Sequence, residues 1–166
     1  MKAELITRYG TWRDVADLAR VTVGKEPGLN EPSNEWKLRM LKAEHSPIRV
    51  LNFGIILHDL PSWVSVHLTR HKIGIEHFVK SQREDRTGKP RGGQHELVNH
   101  FFIANAQALI NISRKRLCNN ASTETKEAWE MSLDTIREIE PELFSCCLPD
   151  CRYRGGCHEM HPCMMS

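Results

Sequence analysis

No long hydrophobic run occurs in the 166 residues; Asn, His, Asp or Arg interrupts each apolar stretch within a few positions. A bilayer-crossing helix takes about 20 predominantly apolar residues, so a membrane partner is not expected. The opening Met1-Lys2-Ala3-Glu4 lacks a signal-peptide pattern, and the expected location is soluble and cytoplasmic. An excess of one charge is missing too. Lys and Arg number 23 against 21 Asp and Glu, a formal net charge of +2, which disfavours a nucleic-acid polymer as partner. Internal repeats and low-complexity tracts are absent. The six cysteines include no CxxC pair, so the commonest zinc-ligand spacing is not available.

What is present reads as one α+β domain, since a chain of this length buries roughly 70% of its unfolded surface in a single core. Residues 3–7 are a strand candidate. Thr11 with Asp14 three residues on predicts a capped helix through about Val21, with Val15, Leu18 and Val21 on its apolar side. Ser33 or Asn34 opens a second helix carrying Trp36, Met40 and Leu41, which stops before Pro47. Leu51, Phe53, Ile55 and Leu57 fall at the two-residue period of a partly buried strand. That strand leads into a short helix over Pro61–Thr69. Residues 85–94 hold Gly, Pro and charges and predict an exposed connection or lid. The three- and four-residue spacing of Leu97, Phe101, Ala104, Ala108 and Ile112 predicts a long helix from His95 to Cys118. A last helix is expected over Ala128–Ile139, ended by Pro141.

Arg70, His71 and Lys72 fall at the end of the Pro61 helix, eight residues before Ser81, Gln82 and Arg83. Basic side chains there are either ordinary companions of a helix C-terminus, where the dipole favours cations, or donors for an anionic ligand such as a nucleotide. Asn105, Gln107 and Asn111 lead to a second basic cluster, Arg114, Lys115 and Arg116. Arg116 is either a surface charge or a permanently protonated fork able to stabilise developing negative charge.

Four separated elements come in a recognisable order: His45-Ser46-Pro47, then RHKx8SQR from Arg70 to Arg83, then NAQALIN from Asn105 with Arg116 after it, then Ala128-Trp129-Glu130. This order resembles the flavin-dependent thymidylate synthases, whose signature is RHR, seven residues and Ser, followed by an NARSLxN helix and a QWE element. The resemblance covers roughly residues 17–131. It implies helices packed on a small, mainly antiparallel sheet. It further implies reductive methylation of deoxyuridine monophosphate (dUMP) to thymidylate with FAD as cofactor, NADPH and methylenetetrahydrofolate as co-substrates, and a homotetramer with active sites at its interfaces. By the same resemblance Arg116 is catalytic and contacts the uracil ring; Arg70, Ser81, Gln82 and Arg83 bind the nucleotide. Thr22, Ser46, Arg70, His71, Lys72, Asn105 and Asn111 serve the flavin. The pattern departs from the family's at Lys72 for Arg, Gln107 for Arg, His67 for Gln, Arg49-Val50 for Glu-His, and in the eight-residue gap before Ser81. A noncatalytic nucleotide-binding or interaction protein on the same fold, or a variant acting on another pyrimidine nucleotide, is the alternative.

Cys146, Cys147, Cys151, Cys157 and Cys163 crowd the end of the chain with His158 and His161, dividing it into residues 1–145 and a Cys/His-rich segment 146–166. Without a secretion signal such density favours metal over disulfides. Cys147, Cys151, Cys157 and Cys163 are the candidate ligands of a structural zinc; reduced, unliganded thiols are the other reading.

Overall fold

The computed structural model describes residues 1–28 and 30–163. In chain order it comprises β1 (Lys2–Tyr9), α1 (Trp12–Val21), α2 (Asn34–Lys42), a 3-10 turn (Ser46–Val50), β2 (Asn52–Pro61), α3 (Ser62–Leu68), β3 (Ile75–Val79), the single turn α4 (Glu84–Thr87), β4 (Leu97–Asn105), α5 (Ala106–Arg116), α6 (Thr123–Asp134), α7 (Pro141–Cys146) and α8 (Asp150–Arg154). The four strands form one antiparallel sheet in the order β1-β2-β4-β3, so the architecture is α+β. Among the described residues no helix is long and apolar enough to cross a membrane.

Local chemistry sets the element boundaries. The capping box at α1 forms as the sequence predicts: Thr11 accepts from the Asp14 amide and Asp14 reaches back to the Thr11 amide. The buried side of α1 is Trp12 and Val15, whereas Leu18 and Val21 are exposed. Ser33 caps α2. Asp59, at positive φ, sits in the irregularity that interrupts β2 pairing between Leu57 and Leu60.

The long helix expected from His95 does not exist, because residues 97–105 are the strand β4, paired on both edges by β2 and β3. Val98, His100, Phe102 and Ala104 are buried in strict alternation, a period of two that outweighs the coincidental helical spacing of Leu97, Phe101 and Ala104. Val, Ile and Phe side chains in this stretch favour the pleated backbone. The helix starts only where the Asn105 side chain accepts from the Ala108 amide. The last long helix runs Thr123–Asp134, earlier than the expected Ala128–Ile139, and Ile139 is exposed. Pro141 opens α7 at its first turn instead of ending α6.

One sheet face carries the core. Phe53, Ile55 and Leu57 from β2 and Phe102 and Ala104 from β4 pack beneath Leu109, Ile112, Trp129 and Leu133 of α5 and α6. Phe102 stacks on Trp129 at a centroid distance of 5.8 Å, and the indole Nε1 donates to Ser113 Oγ at 2.9 Å, so this large aromatic is buried without an orphaned donor. Glu140, buried at the start of α7, accepts from Trp12 Nε1 at 2.7 Å and pairs with Arg8, tying β1 and α1 to the chain's last third.

Candidate functional site

Helix α3 is short, and its first amides are satisfied by the chain that precedes β4: Ser62 N donates to Glu96 O and Trp63 N to Gln94 O. This brings the Gly-rich connection over α3 and leaves a cavity of about 660 Å³ lined by Ser65, Thr69, Lys80, Gln82, Arg83 and Arg91 among others. A second space of about 310 Å³ adjoins it, with His67, Arg70, Gln82 and Arg91 in its wall. The predicted residues Arg70, Gln82 and Arg83 therefore face one cleft. Ser81 lines the neighbouring hollow under Pro90 and receives the Arg83 amide at 3.2 Å.

Gln82 lines both spaces, and its side-chain Nε2 is buried without a hydrogen-bond partner. An amide donor withdrawn from water and left unpaired is costly unless something accepts from it. Arg83 is already committed, its guanidinium forking onto the Asp85 carboxylate at 2.7 and 3.0 Å.

A second basic group forms where the end of α5 meets the end of α3. Arg116, half-buried, donates from Nε to His71 Nε2 at 2.8 Å and from Nη2 to the His67 carbonyl at 2.7 Å. Both partners are neutral. Burial, followed by the like charge of Arg70, holds the Arg116 guanidinium below its ordinary value, and it stays charged in any case. Among the described residues neither Arg70, Lys72 nor Arg116 has a carboxylate within ion-pair distance. Two guanidiniums close enough to repel, with no counter-charge, form a site that an anion stabilises.

His71 is held neutral by burial first, then by Arg116 and His77, with its pKa lowered to about 4. Its Nε2 accepts from Arg116, so its proton sits on Nδ1. Behind it runs a chain of side chains for which the sequence gives no signal. His77 Nε2 lies 3.0 Å from the His71 carbonyl, His77 Nδ1 lies 2.8 Å from His100 Nε2, and His100 Nδ1 lies 2.9 Å from Ser65 Oγ. A carbonyl only accepts, so His77 donates to it from Nε2. Burial is the main reason that His77 and His100 both sit below their ordinary values, His100 at about 4, so both rings are neutral. His77 Nδ1 must then accept from His100 Nε2–H, and His100 Nδ1 from the Ser65 hydroxyl. The polarity of the whole chain is fixed from the cleft to the loop carrying Arg70, His71 and Lys72.

Gly74 and Asn105 fix the far end of that loop. Gly74 has φ +72°, its carbonyl accepts from the Asn105 amide at 2.9 Å, and a Cβ at Gly74 would lie 2.7 Å from Asn105 Nδ2. Asn105 is thus a helix cap with its carbonyl oxygen occupied, while its NH₂ remains available. Asn111 is exposed and accepts from Gln107 Nε2 at 3.2 Å. Gln107 also reaches Glu44, which pairs with Arg114. Thr22, the C-cap of α1, donates to Ala19 O at 2.8 Å, and Ser46 is exposed on the 3-10 turn. Neither of these two lines the α3 cleft.

Cys147 is part of the core. It is 5% exposed, and burial pushes its thiol up to about 12, so it stays protonated. Among the described residues no three metal-ligating side chains converge on one point.

No protein-family model matches the chain, and no curated protein matches it at the sequence level. Solved structures do match. A flavin-dependent thymidylate synthase ThyX from Helicobacter pylori, complexed with FAD and dUMP, superposes with a TM-score of 0.74 at 16% identity, covering 89% of this chain and 100% of that one. A second structure of the enzyme from that organism with FAD and dUMP gives 0.73 at 14% identity, covering 89% and 99%. The UMP/dUMP methylase PolB from Streptomyces cacaoi, bound with 5-Br dUMP, gives 0.70 at 13% identity, covering 87% and 93%. Nearly the whole length of each of these proteins has its counterpart here, and the fold of this chain is that of the flavin-dependent thymidylate synthases.

Proposed function

We propose that the protein is a flavin-dependent pyrimidine-nucleotide methylase that converts dUMP to thymidylate with methylenetetrahydrofolate as carbon donor and NADPH as reductant. The observation that carries this reading is a cleft of nucleotide size, about 660 Å³, with the orphaned Gln82 donor in its wall and Arg70 in the wall of the adjoining space. Arg70, Ser81, Gln82 and Arg83 bind the nucleotide, its phosphate finding charge-assisted donors. Arg116, oriented by His71 and the His67 carbonyl, presents its remaining N–H groups to the pyrimidine and stabilises charge developing there, an effect that preorganisation enlarges.

The residues assigned to the flavin retain unused donors that fit a polar cofactor: the Nδ1–H of His71, the ammonium of Lys72 and the NH₂ of Asn105. Thr22, Ser46 and Asn111 belong to the same assignment. Bound FAD would supply hydride, and the chain's own residues bind, orient and polarise. A homotetramer belongs to this reading as well.

The likeness to a UMP/dUMP methylase favours one second reading, in which the ribonucleotide UMP is also an acceptor. The deciding experiment is anaerobic turnover of dUMP and, separately, UMP by purified protein with FAD, NADPH and methylenetetrahydrofolate, the nucleotide product weighed by mass spectrometry. A gain of about 14 mass units, from replacing H by CH₃, is expected for dUMP. Failure of both acceptors, with tight nucleotide binding and no retained flavin, refutes the enzyme and leaves a noncatalytic binding protein.

A further inference from the structure

We propose that Cys118, Cys151, Cys157 and Cys163 are the thiolate ligands of a structural zinc ion that fastens the end of the chain to the corner after α5. All four line one cavity of about 570 Å³, which Cys147 does not line, and all four are free thiols. The six cysteines thus divide by environment. Cys147 is a core side chain, and Cys118, from a position 33 residues before Cys151, joins the three evenly spaced cysteines of the terminal segment.

That segment has little else to hold it. Residues 155–163 place no apolar side chain in the core, and Met160 is 93% exposed. The ties that remain are polar: Lys115 Nζ to Glu159 at 2.9 Å, Asn120 Nδ2 to the His161 carbonyl at 2.7 Å, and Asn119 Nδ2 to Cys163 Sγ at 3.9 Å. Exposed contacts of this sort are weak. A segment that orders itself without a hydrophobic core generally relies on a disulfide or a metal, and the thiols here are unpaired. The Asn119 contact is the type of N–H···S bond that orients a thiolate ligand from outside the coordination shell. Gly155, with φ +73° and open space around it, turns the chain between Cys151 and Cys157 and lets both approach the same ion. A ligand from the body of the fold is also required if the metal is to anchor the segment, and Cys118, which follows α5, is that ligand. Among the described residues the thiols do not converge on one point, so ion binding has to draw them in toward tetrahedral Zn–S distances of about 2.3 Å.

The test uses the full chain purified under reducing conditions. Metal analysis by mass spectrometry is expected to give one zinc per chain, and cobalt substitution to give the thiolate charge-transfer and tetrahedral visible bands of a four-sulfur site. Cys118→Ser and Cys157→Ser should each lose the metal, while Cys147→Ser and His158→Ala keep it. Should the serine variants fail to fold, alkylation of wild-type protein followed by peptide mapping gives the same answer. Zinc should protect Cys118, Cys151, Cys157 and Cys163, and a chelator should expose all four. Wild-type protein without metal or cobalt bands, Cys118→Ser with full zinc, unprotected Cys118, or iron with acid-labile sulfide in place of zinc would each overturn the proposal. None of these readings depends on flavin or turnover.

Discussion

Acid should destabilise this protein well before its carboxylates titrate, and His100 makes the size of the effect calculable. Its side chain is fully buried between β4 and α3, and burial lowers its pKa from 6.5 to about 4. At 1.36 kcal/mol per pKa unit that difference is worth about 3 kcal/mol. The sign follows from proton binding: between pH 6.5 and 4 the unfolded chain holds a proton on this ring that the folded chain refuses, so stability falls as pH falls. The contribution is fully present above pH 6.5 and lost by about pH 4. His71, lowered to about 4 as well, acts in the same direction, discounted for its partial exposure. Urea unfolding at half-unit steps from pH 7.5 to 4 would measure the slope. His100→Gln retains a donor and an acceptor but cannot titrate, and it should reduce the pH 4–6.5 slope by the share of this one ring, the remainder coming from His71 and His77, while leaving the slope below pH 4 unchanged. A wild-type stability that is flat between pH 7 and 5, or a His100→Gln slope equal to the wild-type slope, would refute the neutral buried chain.

Other changes probe the cleft and its supports. Arg116→Ala should lower turnover by about 2.7–4 kcal/mol of transition-state stabilisation, by analogy with loss of one preorganised donor, with a smaller effect on retained flavin; steady-state kinetics beside flavin absorbance would show it, and unchanged kcat would remove Arg116 from the mechanism. Gln82→Leu should leave thermal stability equal or slightly higher, since an orphaned amide disappears, while calorimetry finds nucleotide affinity weakened by about 0.5–1.5 kcal/mol. Gly74→Ala should destabilise the fold by at least about 1 kcal/mol, because the new methyl meets Asn105 at a backbone angle that suits only glycine; an unchanged melting temperature would contradict this.

The elements legible in the sequence are those whose cause is local. The Thr11/Asp14 box, the Ser33 cap, the alternation through β2 and the proline before α3 each act within a few residues, and each appears where the sequence places it. The β4 error arose because apolar residues on both faces of a central strand can mimic a helical stripe; only pairing with β2 and β3 decides between them. At the site, the motif led to Arg70, Gln82 and Arg83 around one cleft. The motif did not lead to Ser65, His77 and His100, because β3–β4 pairing creates their contact and nothing along 23 residues of chain announces it. The same limit applies to Cys118, which lies far in sequence from the cysteines whose cavity it shares.

The fixed direction of the histidine chain decides what kind of group Ser65 can recognise. Ser65 lines the cleft, and its only proton points inward to His100. Toward a ligand it therefore offers lone pairs alone. Gln82 beside it offers an N–H with nothing to receive it. The cleft thus presents one acceptor and one donor whose roles cannot be exchanged by rotating a hydroxyl, so a ligand seated there has to bring a donor to Ser65 and an acceptor to Gln82.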